Sequence, residues 1–193
     1  VEYSGTSTTL HLWGAQAELG TVATSYVPTY AATATRAVDN IKILTSAFPY
    51  SATASTIIVN YHKKSPSPND GDIVEIGDGT ANDYFSLYVQ NDDLRLSAAS
   101  GGGAVADITP TSNLWSVERT ALVAAGMEAN NFSLVEAGVV HGTDGAGAMP
   151  GAATTMWIGS RSQGTIVILP NRILSLTYLP RRMTDAELIA ETT

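Results

Sequence analysis

Two acids near the middle of the chain come closest to a catalytic pair. Hydrolysis of a glycosidic bond needs two carboxylates flanking the scissile bond, one as acid and one as nucleophile or base. In Glu75-Ile76-Gly77-Asp78 the acids are three residues apart, and strict alternation along a strand sends them to opposite faces. The segment reads instead as a strand end running into a turn. Gly159-Ser160-Arg161-Ser162-Gln163-Gly164 sets a serine among glycines, but its second glycine is displaced from the Gly-x-Ser-x-Gly of a nucleophile elbow. His11, His62 and His141 are scattered and lack metal-ligand spacing. Gly101-Gly102-Gly103 has no following Lys-Ser/Thr, so it reads as a flexible turn and not a phosphate loop. The chain has no cysteine, which excludes thiolate catalysis, disulfides and Cys-ligated zinc. No catalytic constellation emerges, and the chain is read as a non-enzyme.

A second chemistry has more to build on. Sugars are held by aromatic faces beside polar hydrogen-bonding groups. In Tyr84-Phe85-Ser86-Leu87-Tyr88-Val89-Gln90, the residues Phe85, Leu87 and Val89 point one way, and Tyr84 and Tyr88 the other. Arg95 follows on the partner strand. Trp157 points away from Met156 and Ile158. Tyr84, Tyr88, Arg95 and Trp157 are therefore the candidate ligand-binding residues, a stacking platform on an exposed sheet face. The competing reading is that a second layer or a neighbouring subunit covers this face. Trp13 and Trp115 read as packing residues. Between residues 65 and 95 stand seven acids, Asp70, Asp72, Glu75, Asp78, Asp83, Asp92 and Asp93, against the single base Arg95. Oxygen-rich loops of this kind can hold calcium, but no Asp-x-Asp-x-Asp-Gly loop is present. Calcium is the one ion this region suggests; no other cofactor is implied.

The elements that must position these residues are mostly strands. Of 193 residues, 44% are hydrophobic and only 15% charged, enough apolar material for a sizeable core. The net charge of −8 argues against nucleic acid, whose binders need a basic stripe, and against electrostatic membrane anchoring. No apolar run approaches a membrane span. The chain opens at Val1 without a signal-peptide pattern, which reads as a fragment or processed product. The run 84–90, the turn Asn91-Asp92-Asp93 and the run Leu94–Ser97 make a β-hairpin. Further strands are expected at 56–61, 73–76, 117–124, 131–136, up to Ile158, 166–169 and 173–178, parted by Pro- and Gly-rich turns. Many short strands at such spacing predict an all-β, two-layer antiparallel sandwich. One helix is expected after Pro180. Thr184-Asp185-Ala186-Glu187 is a capping box, and the helix should lie across the sandwich edge through Leu188 and Ile189. Gly20 to Asn40 is small, polar and non-alternating, and reads as a linker.

Two stretches carry a resemblance. Leu12-Trp13-Gly14-Ala15-Gln16-Ala17-Glu18-Leu19-Gly20, continuing through Thr24-Ser25-Tyr26-Val27-Pro28-Thr29 to Thr35-Arg36-Ala37, resembles a phrase of bacteriophage structural proteins. Leu176-Thr177-Tyr178-Leu179-Pro180-Arg181-Arg182-Met183-Thr184-Asp185-Ala186-Glu187-Leu188 resembles the closing strand and helix of the lectin-like sandwich these proteins carry. Ala129 to Leu134 resembles an inner strand of the same sandwich. The resemblance implies a tail or capsid fibre protein with a concanavalin A-like, laminin-G-like jelly roll. It divides the chain into residues 1–40, an N-terminal strand and linker ending an upstream jelly roll, and residues 41–193, the sandwich. Residues 1–19 are then expected outside the sandwich core. It also implies a virion-surface protein, a homo-oligomer guessed to be trimeric, with host-surface glycans and other virion proteins as partners. The acidic surface favours neutral or amino sugars over acidic polysaccharide. Two alternatives stay open: a purely structural virion module without sugar binding, and a divergent glycan hydrolase.

Overall fold

A computed structural model describes residues 17, 26–29, 32–34, 41–63, 71–110, 115–162 and 172–193. The chain divides into two compact units, Val1–Val38 and Asp39–Thr193. Nearly all of the first unit lies outside the described residues, and with it Trp13, the expected upstream jelly-roll strand and most of the linker. The expected strand at 166–169 and Asp70 lie outside them too.

The second unit is a two-layer antiparallel sandwich. Its strands are β1 (Ile41–Leu44), β2 (Ala54–Lys63), β3 (Gly71–Gly77), β4 (Tyr84–Gln90), β5 (Asp93–Ser100) and β6 (Gly103–Ile108). They continue with β7 (Arg119–Glu128), β8 (Asn131–Glu136), β9 (Val139–Asp144), β10 (Thr155–Ile158) and β11 (Arg172–Leu179), followed by helix α1 (Asp185–Thr192). A six-stranded sheet has the order β1-β10-β3-β4-β5-β6, and a five-stranded sheet the order β11-β2-β7-β8-β9.

The core lies between the sheets. Phe85, Leu87 and Val89 of β4 meet Phe132 and Leu134 of β8, Met127 of β7 and Met156 of β10, all at most 3% exposed. Apart from Met127, these are residues that alternation assigned inward; Ile158, assigned with them, is only partly buried. The β4–β5 hairpin turns on Asn91 and Asp92, both at positive φ, the geometry of a two-residue type I′ turn. Gly101 and Gly102, also at positive φ, make the β5–β6 turn.

Polar groups join the sheets at one end. Lys63, 1% exposed, donates to the Asp92 carboxylate and the Trp115 carbonyl. The fully buried Trp115 donates its indole N–H to Glu136 Oε2 at 3.2 Å, and Arg119 pairs with Glu136 Oε1 at 2.7 Å. The tip of a hairpin in one sheet is thus tied to strands of the other, and each buried charge has a partner, as burial requires.

Two expectations need correction. The seventh strand begins at Arg119, not at Val117, which is 60% exposed in a bend. Helix α1 does not lie across the sandwich edge. It packs on the outer face of the five-stranded sheet, against β7 and β8. Leu188 is fully buried with Ala124, Val135 and Met183, while Ile189 is 36% exposed. Gly126 makes this approach feasible, since a Cβ there would stand 2.9 Å from Leu188 Cδ1. The helix entry is fixed by the expected capping box, with Thr184 Oγ1 accepting from the Glu187 amide and Glu187 accepting from the Thr184 amide. The preceding turn hangs on the buried Thr56 hydroxyl, which donates to the Arg181 carbonyl and accepts from the Met183 amide, each at 2.8 Å.

Candidate functional site

With α1 on the five-stranded sheet, the aromatic candidates stand on the outer face of the six-stranded one. Register brings them together. Tyr88 is paired with Arg95, Tyr84 with Ala99, Ser86 with Ser97 and Glu75, and Glu75 with Trp157. Because β10 lies beside β3, and β3 beside β4, Trp157 and the two tyrosines share one side of adjoining strands. All three rings are half-buried.

They do not form a flat platform. A depression of about 230 Å³ opens on this face. Tyr84 and Tyr88 line it together with Glu75, Ser86, Gln90 and Ser97, and the turn at Thr80-Ala81 and Arg161 complete its wall. Trp157 and Arg95 flank this lining. The Trp157 ring stands beside the 78–83 turn, where a Cβ on Gly79 would meet it at 3.9 Å. Arg95 donates from Nη1 to Gln90 Oε1 at 2.8 Å, which holds both side chains along the rim.

The charged residues in or beside the depression other than Arg95, namely Asp72, Glu75 and Arg161, were not among the ligand-binding candidates. In strict alternation Asp72 and Glu75 face opposite ways. A β-bulge between Asp72 and Val74 places two residues of β3 against one of β4. Ile73 and Val74 are consequently both fully buried, and Asp72 and Glu75 both fall on the outer face, paired with Tyr88 and Ser86. The consecutive apolar pair in Asp-Ile-Val-Glu-Ile was the signal available in the sequence.

The segment after β10 crosses this face and is pinned to both acids. Arg161 Nε stands 3.0 Å from Asp72 Oδ2, and the Ser162 amide donates to Glu75 Oε1 at 2.8 Å. Burial raises the Glu75 pKa above the ordinary glutamate value. The hydrogen bonds from Ser162 oppose that shift, nearby Asp72 adds to it and Arg161 counters it. Burial likewise raises the Tyr88 phenol, against a contact with Ser97 that lowers it. At neutral pH Tyr88 offers an intact O–H group.

The acids expected to gather do not converge. Asp78 is fixed within its own turn by Thr80, whose amide and hydroxyl donate to it at 2.7 and 2.8 Å. Asp83 accepts from the Gly151 amide, and Asp92 from Lys63. Among the described residues no group of three or more His, Cys, Asp or Glu side chains could hold a metal ion. Glu75 and Asp78 do not form a pair either, since Asp78 lies beyond the end of β3 in an exposed turn.

A second depression, beside α1, is lined by Ile58, Leu122, Leu179 and Met183 with Thr177 and Glu191. It has no aromatic face. The first offers rings, hydroxyls, an amide, a carboxylate and a guanidinium together, the set that stacks on and hydrogen-bonds a polar ring.

No protein-family model matches the chain, and no curated protein matches it in sequence. Solved structures do resemble the fold. The CBM40 domain of the Ruminococcus gnavus IT-sialidase, bound to α2,3-sialyllactose, is 17% identical with a TM-score of 0.59, covering 81% of this chain and 97% of that one. The NanB sialidase of Streptococcus pneumoniae gives a TM-score of 0.64 at 10% identity, covering 78% of this chain but 26% of the enzyme's. Domains LG4-5 of the mouse laminin α1 chain give 0.57 at 12% identity, covering 76% and 40%. At these identities the likeness concerns the fold. The second unit has the two-sheet jelly-roll fold of these laminin-G-like sandwiches.

Proposed function

We propose that the outer face of the six-stranded sheet binds glycans and that this domain is a non-catalytic attachment module. The observation that carries the reading is the depression itself. Tyr84 and Tyr88 stand over it beside Glu75, Ser86, Gln90 and Ser97, with Arg161 at its wall and Trp157 and Arg95 flanking it. The R. gnavus domain of the same fold was solved with α2,3- and with α2,6-sialyllactose, which supports a sugar as the kind of ligand. Hydrolysis is disfavoured because Asp72, the acid that shares β3 and this face with Glu75, is committed to Arg161, and the reaction needs two available carboxylates.

The setting we infer is a bacteriophage fibre, tail or capsid decoration protein on the virion surface, carried as a homo-trimer that touches host glycans and other virion proteins. The support is the resemblance of residues 12–37 and 176–188 to phage structural proteins. A shallow site of this size binds weakly, and many copies on one particle raise attachment through effective concentration.

The test is multivalent. The full chain, biotinylated and mounted on streptavidin, should bind a glycan array and host cells. The Tyr84→Ala, Tyr88→Ala, Trp157→Ala triple variant should stay folded and lose that binding. Unchanged binding by the variant removes this face as the site, and no binding by the parent favours a structural virion module.

A further inference from the structure

We propose that Asp72 sets the charge selectivity of this face, holding Arg161 compensated so that the depression takes uncharged sugars in preference to uronic or sialic acids. This rests on the reading of the face as glycan-binding.

Among the described residues Arg161 is the only cation lining the depression, and its side chain is 38% exposed. A lone guanidinium in that position would be a ready partner for a sugar carboxylate, which it meets through two parallel hydrogen bonds. Asp72 prevents this. Its carboxylate is 2% exposed and stands 3.0 Å from Arg161 Nε, placed there by the bulge at Ile73. Glu75, 4% exposed, is a second carboxylate on the same wall. One guanidinium therefore faces two acids. An anionic ligand entering the depression would lose its hydration without meeting an uncompensated cation, and burying such a charge is unfavourable. Arg95 on the same face is held on Gln90, and Lys42 lies beyond Trp157 on β1; neither lines the depression.

An uncharged ring meets a different surface. Its hydroxyls both donate and accept. Glu75 offers an acceptor, Arg161 offers donors, and Tyr84 and Tyr88 offer apolar surface beside them. The ion pair that repels a carboxylate thus leaves a donor and an acceptor correctly placed for a diol. The domain that was solved with sialyllactose would share the fold and differ in the charge it accepts.

The experiment compares sugars without and with a carboxylate. The full chain on streptavidin is titrated against polyacrylamide bearing glucose or glucuronate, galactose or galacturonate, and lactose or 3′-sialyllactose. The neutral member of at least one pair should bind, with its acidic member about tenfold weaker or more. Asp72→Asn, near-isosteric, should strengthen binding to the acidic members about tenfold, and the Asp72→Asn, Arg161→Gln double variant should lose that gain. Circular dichroism checks that each variant is folded; if Asp72→Asn is not, the parent's preference within the pairs decides alone. Equal or better binding of the acidic members by the parent overturns the inference and leaves the glycan-binding reading standing, as does a folded Asp72→Asn variant without the gain. Binding to none of the six probes counts against that reading itself and takes the inference with it.

Discussion

The two outer faces of the sandwich have been put to opposite uses. On the five-stranded sheet, Ala124 and Val135 lie beneath Leu188 and Met183, so β7 and β8 are buried on both sides. On the six-stranded sheet, Tyr84, Ser86 and Tyr88 face outward over an open depression. Antiparallel sheets commonly leave one face solvated. Among the described residues a single eight-residue helix decides which sheet has its outer face covered. Small residues mark the covered face, where Gly126 and Ala124 admit the helix. Half-buried aromatic and hydroxyl residues mark the open one.

That contrast can be broken from its covered side. Leu188→Ala should cost about 2–5 kcal/mol in urea unfolding, comparable to the roughly 3–5 kcal/mol expected for Phe132→Ala between the sheets. A cost under about 1 kcal/mol for Leu188→Ala would mean that the helix is an appendage and that both faces are in effect open. A smaller perturbation, Thr184→Ala, removes one arm of the capping box and should cost about 1 kcal/mol by the same measurement.

On the open side, Tyr84→Ala and Tyr88→Ala should each cost roughly 1 kcal/mol or less in stability while weakening glycan binding. A loss as large as that of Leu188→Ala would identify the tyrosines as packing residues.

The smallest effect concerns pH, and its sign differs between the faces. The Asp185 pKa is lowered: partial burial, which alone would raise it, is outweighed by the hydrogen bonds from Ser133 and Arg182 and by the Arg182 charge. Its contribution is therefore present above the ordinary aspartate range and lost as pH falls through its depressed value. The Glu75 pKa is raised, first by burial. Between the ordinary glutamate value of 4.5 and its raised one the folded state binds the extra proton, so stability falls as pH climbs through that window. Thermal melts from pH 3 to 7 should show Glu75→Gln flattening the decline on the high side, and Asp185→Asn flattening the rise on the low side. Identical profiles for both variants would sink the assignment of opposite shifts.

On β8 the large Phe132 and Leu134 marked the inward side, and alternation made the hairpin β4–β5 with Phe85 and Leu87 readable because its strands have one buried and one open side. It failed where that condition fails. β7 reads Leu-Val-Ala-Ala-Gly-Met, with both sides buried over most of its length, so it has no period-2 contrast to mark where it starts. The strands β1, β6 and β9 lack a regular buried stripe and were not anticipated. The helix was legible from its cap, but its placement was not, since Gly126 has meaning only once Leu188 is seen against it. In the candidate site, the three aromatic residues were legible from the pattern around them. Asp72 and Glu75 were not, because the bulge breaks the rule that would have placed them. Arg161 was not, because nothing local ties it to residues almost ninety positions earlier.

The bulge at Ile73 also bears on insertion and deletion. A one-residue slip ordinarily inverts every side chain beyond it. Here the extra residue is absorbed where it stands, so Asp72 and Glu75 keep the same side with Ile73 present and would keep it with Ile73 removed. Deleting that one residue should leave the inward and outward lists of the sheet unchanged, and take away one buried side chain and the local twist that a bulge adds. The strand can therefore be shortened by a residue without being re-registered, which separates the composition of the face from its curvature. Should a folded deletion variant lose ligand binding with every lining residue retained, curvature would be the property that the bulge supplies.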